Sequence, residues 1–576
     1  MTQHVSAPSA ASPAGAAAPR GFWALEKGRP GPGARKVSGG DLDRDRDGGP
    51  EQHSHTCSSE TSRTAGGLRP YQTPSQGQPD TFHGALPRTR SYRTQLLKQV
   101  SVDMFAVWCA LALLALLPLS QTANPGVKVK LTQKGLEYGR QIGMATLQSK
   151  LKSIKLPDMS GKVKVSHIGK VKYRITGMRI VSLGLPKSTV GLVPNTGVSV
   201  SIQNAFINLR GNWRVRYRFI RTSGSFDLSV SGLSISSSIA VKSDKTGRPT
   251  VSSASCGARV GRLKVKFHGG ASWLYNLFRS FIGKALRKAL EKQICPRVAE
   301  AVSEMNPRLK TLNVLAKVDK YAEIEYSMAA TPAVSQQFIE FGLKGEFYNI
   351  GKHQEPPFVA APFSLAAKNT SMLYIGLSSF TFNTAGFVYH KAGALNLYIT
   401  DDMIPKKSPV RLSTKTFGVL IPEIAKRFPN LMMKMLLKSA NPPKVTFQPK
   451  GLTVEATGTV TAYAILANGT LVPLFILNLE ASVSAQAYIA GVKVAGAVAI
   501  NNIGITLGQS YVGPFQVKSL DKILLMVLKL VVIPLVNVRL QQGYPLPALG
   551  KMSLVNPQLL IQKDYMLIGT DVHFAP

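Results

Sequence analysis

Three short runs of the chain place a cation at every second position. Residues 163–175 read VKVSHIGKVKYRI, where Val171, Tyr173 and Ile175 alternate with Lys170, Lys172 and Arg174. Residues 213–219 read WRVRYRF. Here Trp213, Val215, Tyr217 and Phe219 fall on one side and Arg214, Arg216 and Arg218 on the other. Residues 262–267 read RLKVKF, with Leu263, Val265 and Phe267 opposite Arg262, Lys264 and Lys266. A period of two sends alternate side chains to opposite faces of a β-strand. Each run therefore predicts a strand that is apolar on one face and wholly basic on the other. A face that only had to be soluble would mix signs, because like charges opposite each other in a sheet repel. The chemistry on offer is polyanion binding. Lys150, Lys152, Lys155, Lys162 and Lys164 are near enough in sequence to extend it.

The charge of the whole chain agrees. The 576 residues carry a formal net charge of +40, of which +4 falls in residues 1–123, +28 in 124–320 and +8 in 321–576. A hydrophobic fraction of 44% supplies large cores and excludes wholesale disorder, and four cysteines are too few for a disulfide-dense scaffold. The polyanions to consider are an anionic membrane, another lipid or glycan polyanion, and nucleic acid. Aromatics interleave with arginines in 213–219 as a stacking platform would, but the alternation puts them on the face away from the cations. That argues against nucleic acid.

Residues 1–103 hold few large apolar side chains and read as a disordered leader. His53, His55 and Cys57 lack a second ligand pair at zinc-like spacing and read as part of a polar tail. Residues 104–123 (MFAVWCALALLALLPLSQTA) open with sixteen uncharged positions, the length of a signal-peptide core. Cleavage near Ala123 is the favoured reading, although Gln121 is an imperfect residue two places before it. The alternative is a signal anchor, with Arg88, Arg90, Arg93 and Lys98 on the cytosolic flank. Both readings export residues 124–576. Beyond Ala123 only Cys256 and Cys295 remain. An even pair in an exported chain reads as one disulfide, with two buried thiols as the alternative. Asn369-Thr-Ser and Asn468-Gly-Thr are glycosylation acceptors.

The elements that must position the basic strands are an α+β set. Helical spacing of Leu136, Ile142 or Gly143, Leu147, Leu151 and Ile154 predicts a helix over 133–154. In 226–241 the apolar phase shifts after Gly232, which predicts a β-bulge and a bent sheet. A stronger apolar stripe predicts a helix over 272–295, ending at Cys295 with a kink at Pro296. A Pro/Ala linker is expected at 356–363, strands at 371–382 and 386–400, and an amphipathic helix at 413–428. Strands at 452–466 and 471–507 lead to a helix at 517–540, expected to be buried rather than to span a membrane. Each half thus repeats an early helix, curved strands and a long apolar helix. A helix laid on a coiled sheet leaves an apolar channel suited to acyl chains. No G-x-S-x-G, H-E-x-x-H, P-loop or G-x-G-x-x-G occurs, and the five histidines after residue 123 are not paired at ligand spacing. Neither an enzyme nor a metal site is expected.

NPGVKVKLTQKGLEYG at 124–139, GSFDLSVSGLSIS at 224–236, KGEFYN at 344–349, DDMIP at 401–405, PEIAKRFPN at 422–430, GYPLP at 543–547 and YMLIGTDV at 565–572 give the chain a clear likeness. From 124 to 576 it resembles the bactericidal/permeability-increasing protein and lipopolysaccharide-binding protein family. The resemblance implies an elongated boomerang of two pseudo-symmetric domains, each a barrel plus a long helix, joined by a central antiparallel sheet. It places a basic N-terminal barrel at 124–320, the central sheet and linker at 321–378, a C-terminal barrel at 379–543 and a return to the central sheet at 544–576. It implies lipopolysaccharide binding by Trp213, Arg214, Arg216, Arg218, Arg221, Lys162 and Lys164, with Arg262, Lys264 and Lys266 as a third, less securely aligned basic element. It fits the disulfide to Cys256 and Cys295. It implies no cofactor beyond phospholipid in two apolar pockets. Partners would be lipid A, phospholipids and the bacterial outer membrane, but no nucleic acid. The protein would be a monomer or weak dimer, secreted and, as a finer expectation, stored in granules, with antibacterial or endotoxin-neutralising action. A plasma-type phospholipid or sterol-ester transfer protein is the alternative that shares this fold.

Overall fold

The computed structural model describes residues 124–165, 169–270, 272–366, 368–449 and 451–575, and for 272–279 the backbone alone. The chain divides into two units, 1–110 and 111–576, and every described residue belongs to the second. The expected leader, the His53/His55/Cys57 group and the signal segment 104–123 lie outside the described residues.

After β1 (Val127–Thr132) comes helix α1 (Gln133–Lys152). The Thr132 hydroxyl caps it by accepting from the Gly135 amide, and Lys150 and Lys152 stand in its last turn, where cations complement the helix dipole. Leu136, Leu147 and Leu151 are buried; of the two alternatives for the place between them, Ile142 is exposed and Gly143 is half-buried. Seven strands then form one antiparallel sheet: β2 (Met159–Val165), β3 (Gly169–Gly184), β4 (Lys187–Val193), β5 (Gly197–Tyr217), β6 (Ile220–Ser243), β7 (Pro249–Arg259) and β8 (Arg262–His268). The order is β2-β3-β5-β6-β7, with β4 added on β5 and β8 on β6. The path has two free ends, so the expected barrel is an open sheet.

The bend at Gly232 is where the sequence places it. Phe226, Leu228 and Val230 are buried before it, and Leu233 and Ile235 after it. Gly232 has φ 68°, and the β5–β6 ladder is interrupted there: Ala205 pairs with Leu233, one position out of the register shared by Ile202–Ile235 and Ile207–Val230 on either side. On the neighbouring side β7 stops and β8 starts, with Gly261 against the bulge. A Cβ on Gly261 would lie 2.6 Å from the Gly232 carbonyl oxygen. The Val260 peptide freed by this break is satisfied from helix α2 (Ser272–Ser303): Glu291 accepts from its amide at 2.9 Å and Arg287 donates to its carbonyl at 2.5 Å.

Helix α2 does not end at Cys295. It runs through Pro296 to Ser303. Losing one helical hydrogen bond and accommodating the ring costs about 3 kcal/mol. Burial of Val298, Ala301 and Val302 beyond the proline offsets this, at about 1.5–3 kcal/mol for each fully buried valine. Ile282, Leu286, Leu290 and Ile294 form the rest of its buried stripe, packed with α1 and the inner faces of β3, β5 and β6.

The middle of the chain forms a three-stranded and a six-stranded sheet. The first has order β13-β10-β9, from β9 (Leu315–Lys317), β10 (Ala322–Glu325) and β13 (Glu346–Asn349). The second has order β11-β12-β1-β14-β23-β22. It combines β1 with β11 (Ala333–Val334), β12 (Phe338–Leu343), β14 (Leu373–Ser378), β22 (Met552–Gln562) and β23 (Tyr565–Phe574). Residues 356–363 are irregular, as the proline-rich composition predicts.

The second half departs from expectation at two helices. Residues 379–391, expected to be strand, form helix α3 (Ser379–Lys391), whose Thr381, Thr384, Ala385, Phe387 and Val388 are buried. The helix expected at 413–428 is two short pieces, Thr414–Gly418 and Pro422–Arg427, because Pro422 starts a new first turn. The early helix of the second half is therefore α3. Another open seven-stranded sheet follows, of order β15-β16-β18-β19-β20-β21 with β17 on β18. Its strands are β15 (Leu397–Ile399), β16 (Met433–Ser439), β17 (Lys444–Gln448), β18 (Gly451–Ile465), β19 (Leu471–Ala490), β20 (Lys493–Ser510) and β21 (Tyr544–Pro545). The long helix α4 (Val517–Gln542) buries Leu520, Leu524, Val527, Leu528 and Val531 in this sheet's core. Its last segment, Ile533–Gln542, has no buried residue and exposes Leu535, Val536 and Val538. The expectation of a buried helix holds only for its first two-thirds.

Candidate functional site

The β5–β6 hairpin sets the site's geometry. Tyr217 pairs with Ile220, so the turn is the two residues Arg218 and Phe219. Trp213 and Val215 face the core and Arg214 and Arg216 face out. Phe219 is not on the apolar face where alternation put it. It is 100% exposed at the turn, with Ile220 half-exposed beside it. Arg218 has φ 45°, a conformation that two-residue hairpin turns ordinarily reserve for glycine, asparagine or aspartate. Its guanidinium lies 5.6 Å from the Tyr217 ring.

Trp213, expected to touch ligand, is a core residue with 3% exposure. Its indole Nε1 donates to the carbonyls of Ser225 and His268, at 3.0 and 3.3 Å, and its ring meets Phe267 edge-on at 6.1 Å. The indole lies over Gly224, its cross-strand partner, where a Cβ would come within 3.0 Å of Nε1. Trp213 therefore braces the base of the hairpin from inside and is not part of the exposed cation surface.

The ladder registers bring the outward cations together. Lys162 pairs with Lys172, Lys172 with Arg216, and Arg216 with Arg221. Four cations thus stand in one row across β2, β3, β5 and β6. At about 4.8 Å between strands the row spans about 14 Å. Lys164 faces Lys170, and Arg174 faces Arg214, on either side of it. All of these side chains are exposed. Among the described residues, the carboxylate within ion-pair distance of this group is Asp158, 3.8 Å from Arg174. Like charges placed directly opposite weaken a sheet.

The third basic run lies elsewhere. Lys266, Lys264 and Arg262 on β8 face Asp227, Ser229 and Ser231 of β6. Asp227 is six residues beyond Arg221, about 20 Å of strand. It also takes Arg210 at 2.8 Å and His268 at 2.9 Å, and those hydrogen bonds, Arg210's foremost, hold its carboxyl below the usual range. The structure joins the first two basic runs in one surface and leaves Arg262, Lys264 and Lys266 as a separate stripe beyond an acidic residue. Lys150, expected as an extension, instead pairs with Glu300 at 3.2 Å and with Glu304, tying α1 to α2.

Beneath the row, on the inner face of the same strands, is an apolar cavity of about 240 Å³ including its mouth, lined by Tyr173, Ile175, Trp213, Val215, Phe267 and Ile282. A second, of about 330 Å³, lies between β16, β18, β19 and α4, lined by Met435, Leu437, Leu477, Leu524 and Val527 among others. Counted as space a water molecule can occupy, each is only about 10 Å³, room for about one water and far below the roughly 300–1,000 Å³ typical of small-ligand sites. Cys256 on β7 and Cys295 on α2 are joined in a disulfide, with Cα atoms 5.7 Å apart. Asn369 and Asn468 are both exposed. Asn468 stands in the turn between β18 and β19, where its Oδ1 accepts from the Thr470 amide at 3.0 Å.

The comparisons with known proteins cover both halves. Residues 135–305 match the N-terminal domain of the LBP / BPI / CETP family and residues 316–574 its C-terminal domain. The chain is 65% identical over 468 residues to a bactericidal permeability-increasing protein of Sebastes schlegelii, covering 81% of this chain and 99% of that one. It is 35% identical over 467 residues to a lipopolysaccharide-binding protein of Homo sapiens, covering 80% and 97%. A crystal structure of a lipopolysaccharide-binding protein superposes with a TM-score of 0.55 at 33% identity, over 78% of this chain and 99% of that one. With both domains matched in order and relatives aligned over nearly their whole length, the chain belongs to the LBP / BPI / CETP family.

Proposed function

We propose that the chain is an exported innate-immune protein that binds lipopolysaccharide of Gram-negative bacteria. The observation that carries this reading is the four-strand cation row, exposed and short of carboxylate partners, in a chain 65% identical to a protein named for bactericidal, permeability-increasing action. Lipid A presents phosphates above packed acyl chains. Arg214, Arg216, Arg218 and Arg221 grip phosphate through two parallel hydrogen bonds each, and Lys162, Lys164, Lys170 and Lys172 act as point charges beside them. Together they displace the divalent cations that bridge neighbouring lipid A molecules, which loosens the outer membrane. The stripe of Arg262, Lys264 and Lys266 engages the same surface after the tip has docked.

The rest of the reading follows from it. The two apolar cavities take phospholipid or acyl chains once a helix eases off its sheet. Glycans sit on Asn369 and Asn468. The protein is secreted, with storage in granules, and acts as a monomer or weak dimer without an enzymatic step. The second reading, a plasma-type phospholipid or sterol-ester carrier, draws on the apolar second-half cavity and has no use for the cation row.

The test is lipopolysaccharide binding by the full chain and by a variant with Arg214→Glu, Arg216→Glu and Arg218→Glu. At about 1 kcal/mol for each cation near an anionic surface, affinity falls at least about a hundredfold, and wild-type binding weakens as salt screens the row. Unchanged affinity overturns the reading. Lipid transfer that ignores both the substitutions and ionic strength establishes the carrier.

A further inference from the structure

The β5–β6 turn carries a feature that phosphate binding does not require. Phe219 is fully exposed at the outermost point of the longest hairpin in the first half, and Ile220 is half-exposed next to it. Arg218, Arg216 and Arg221 flank the pair within a few positions along the hairpin, and Lys172 and Lys162 continue the same row. A two-residue turn of this kind favours glycine where Arg218 has φ 45°. Holding a bulky residue there costs folding free energy, so the positive-φ arginine and the bare phenylalanine stand against local preference. Strain kept at an exposed tip points to function.

We propose that Phe219, with Ile220, is a wedge that enters the acyl layer of a phosphate-bearing lipid surface while the surrounding cations hold the headgroups. The inference rests on the reading of the cation row as a lipid-phosphate site and adds a separate step to it. The arrangement of the tip fixes the occupant: an apolar point ringed by cations matches a layer whose phosphates lie just outside its acyl chains. The cations bring the tip to the surface and align it. The apolar side chains then gain burial only if the acyl region lies within a few ångströms of the phosphates. A soluble polyanion offers the first contact and not the second. Trp213 positions the hairpin from inside, so the tip advances as a rigid unit.

The experiment uses the full chain with vesicles of phosphatidylcholine containing a minority of phosphatidic acid, and separately with a soluble polyphosphate. Phe219→Ala should leave polyphosphate binding unchanged, weaken vesicle binding about tenfold to a hundredfold as expected for one buried aromatic, and reduce leakage of a trapped dye at equal bound protein. Phe219→Trp should restore leakage, and its added fluorescence should be quenched by bromine placed on the acyl chains. The variant with Arg214→Glu, Arg216→Glu and Arg218→Glu should lose binding to both probes. If that variant still binds, the cation-row reading fails. If it loses binding while Phe219→Ala leaks dye like wild type and the Phe219→Trp emission is quenched only by a water-soluble quencher, the wedge alone is overturned.

Discussion

The two seven-stranded sheets are the same ladder built twice. In the first, β4 folds onto the start of β5, β3 lines its later half and β6 runs its full length. In the second, β17, β16 and β19 do the same around β18. The differences lie outside the core. The row Lys162–Lys172–Arg216–Arg221 crosses β2, β3, β5 and β6, whereas on β16, β18 and β19, which match β3, β5 and β6, the row nearest the turn with no buried side chain is Lys434–Tyr463–Pro473, with a single cation. The turn Arg218–Phe219 corresponds to the turn that holds Asn468, Gly469 and Thr470. One tip bears cations and a bare phenylalanine, the other the polar sequence Asn468-Gly469-Thr470. Inner faces must fill a core and so stay apolar in both halves, while outer faces are free to diverge. Function separates at those free positions.

The helix attachments diverge too. The disulfide Cys256–Cys295 ties α2 to β7, whereas α4 is held to β20, the strand in the matching place, by Asn537. Its amide side chain accepts from the Val498 N–H at 2.7 Å and donates to the Val498 carbonyl at 3.2 Å. Closing a loop of about 40 residues contributes about 4 kcal/mol on the chain-entropy account. Two neutral hydrogen bonds contribute about 1–3 kcal/mol. Replacing both cysteines by serine should therefore lower stability by more than Asn537→Ala, as read from denaturant midpoints at constant m. Equal losses would mean that the two attachments do equivalent work. Asn537→Ala should also free the exposed end of α4, seen as faster amide exchange across Ile533–Gln542 than across the rest of the helix.

Period-two alternation, the glycine at the bulge and the helical stripes are all legible in the sequence, because each is a local pattern tied to one buried face. Three things are not. A stop at Pro296 follows from the local penalty alone, without the burial of Val298, Ala301 and Val302 beyond it. A strand at 386–400 follows from apolar content alone, and α3 shows that packing chose the helix. Alternation carried through the turn puts Phe219 on the wrong side of the tip. The clue is a change of phase: the buried residues are odd-numbered from Ala205 to Val215 and even-numbered from Phe226 to Val230. A two-residue turn at 218–219 produces that switch by pairing odd with even positions. The grouping of cations into one row, and the separation of Arg262, Lys264 and Lys266 from it, depends on which strands are neighbours, which no single run of sequence encodes.

Between the halves lies a region that neither repeats, and it holds a strongly perturbed carboxyl. Glu346 on β13 is only 8% exposed, and its Oε1 has no hydrogen-bond partner among the described residues. Burial first, and the neighbouring Glu355 second, push its pKa up to about 7. Lys344 and the Tyr348 hydroxyl counter this in part, but Lys344 is also drawn to Glu325 at 3.2 Å. A carboxyl raised in the fold binds more protons folded than unfolded, so its contribution is present below the unfolded pKa of about 4.3 and is lost as pH rises through about 7. The middle of the chain should therefore loosen as pH rises from about 4 to about 7, by about 1–3 kcal/mol, and change little above that. The cation row, on a different sheet, should hold its binding. Calorimetric unfolding of wild type and Glu346→Gln across this interval tests it: the wild-type transition temperature should fall with pH and the variant's curve should be flatter. Parallel curves would show that Glu346 shares its proton too readily with Glu355 to matter. Lipopolysaccharide affinity that falls with the same midpoint would show instead that the tip and the middle of the chain are coupled, and that the two halves are not independent.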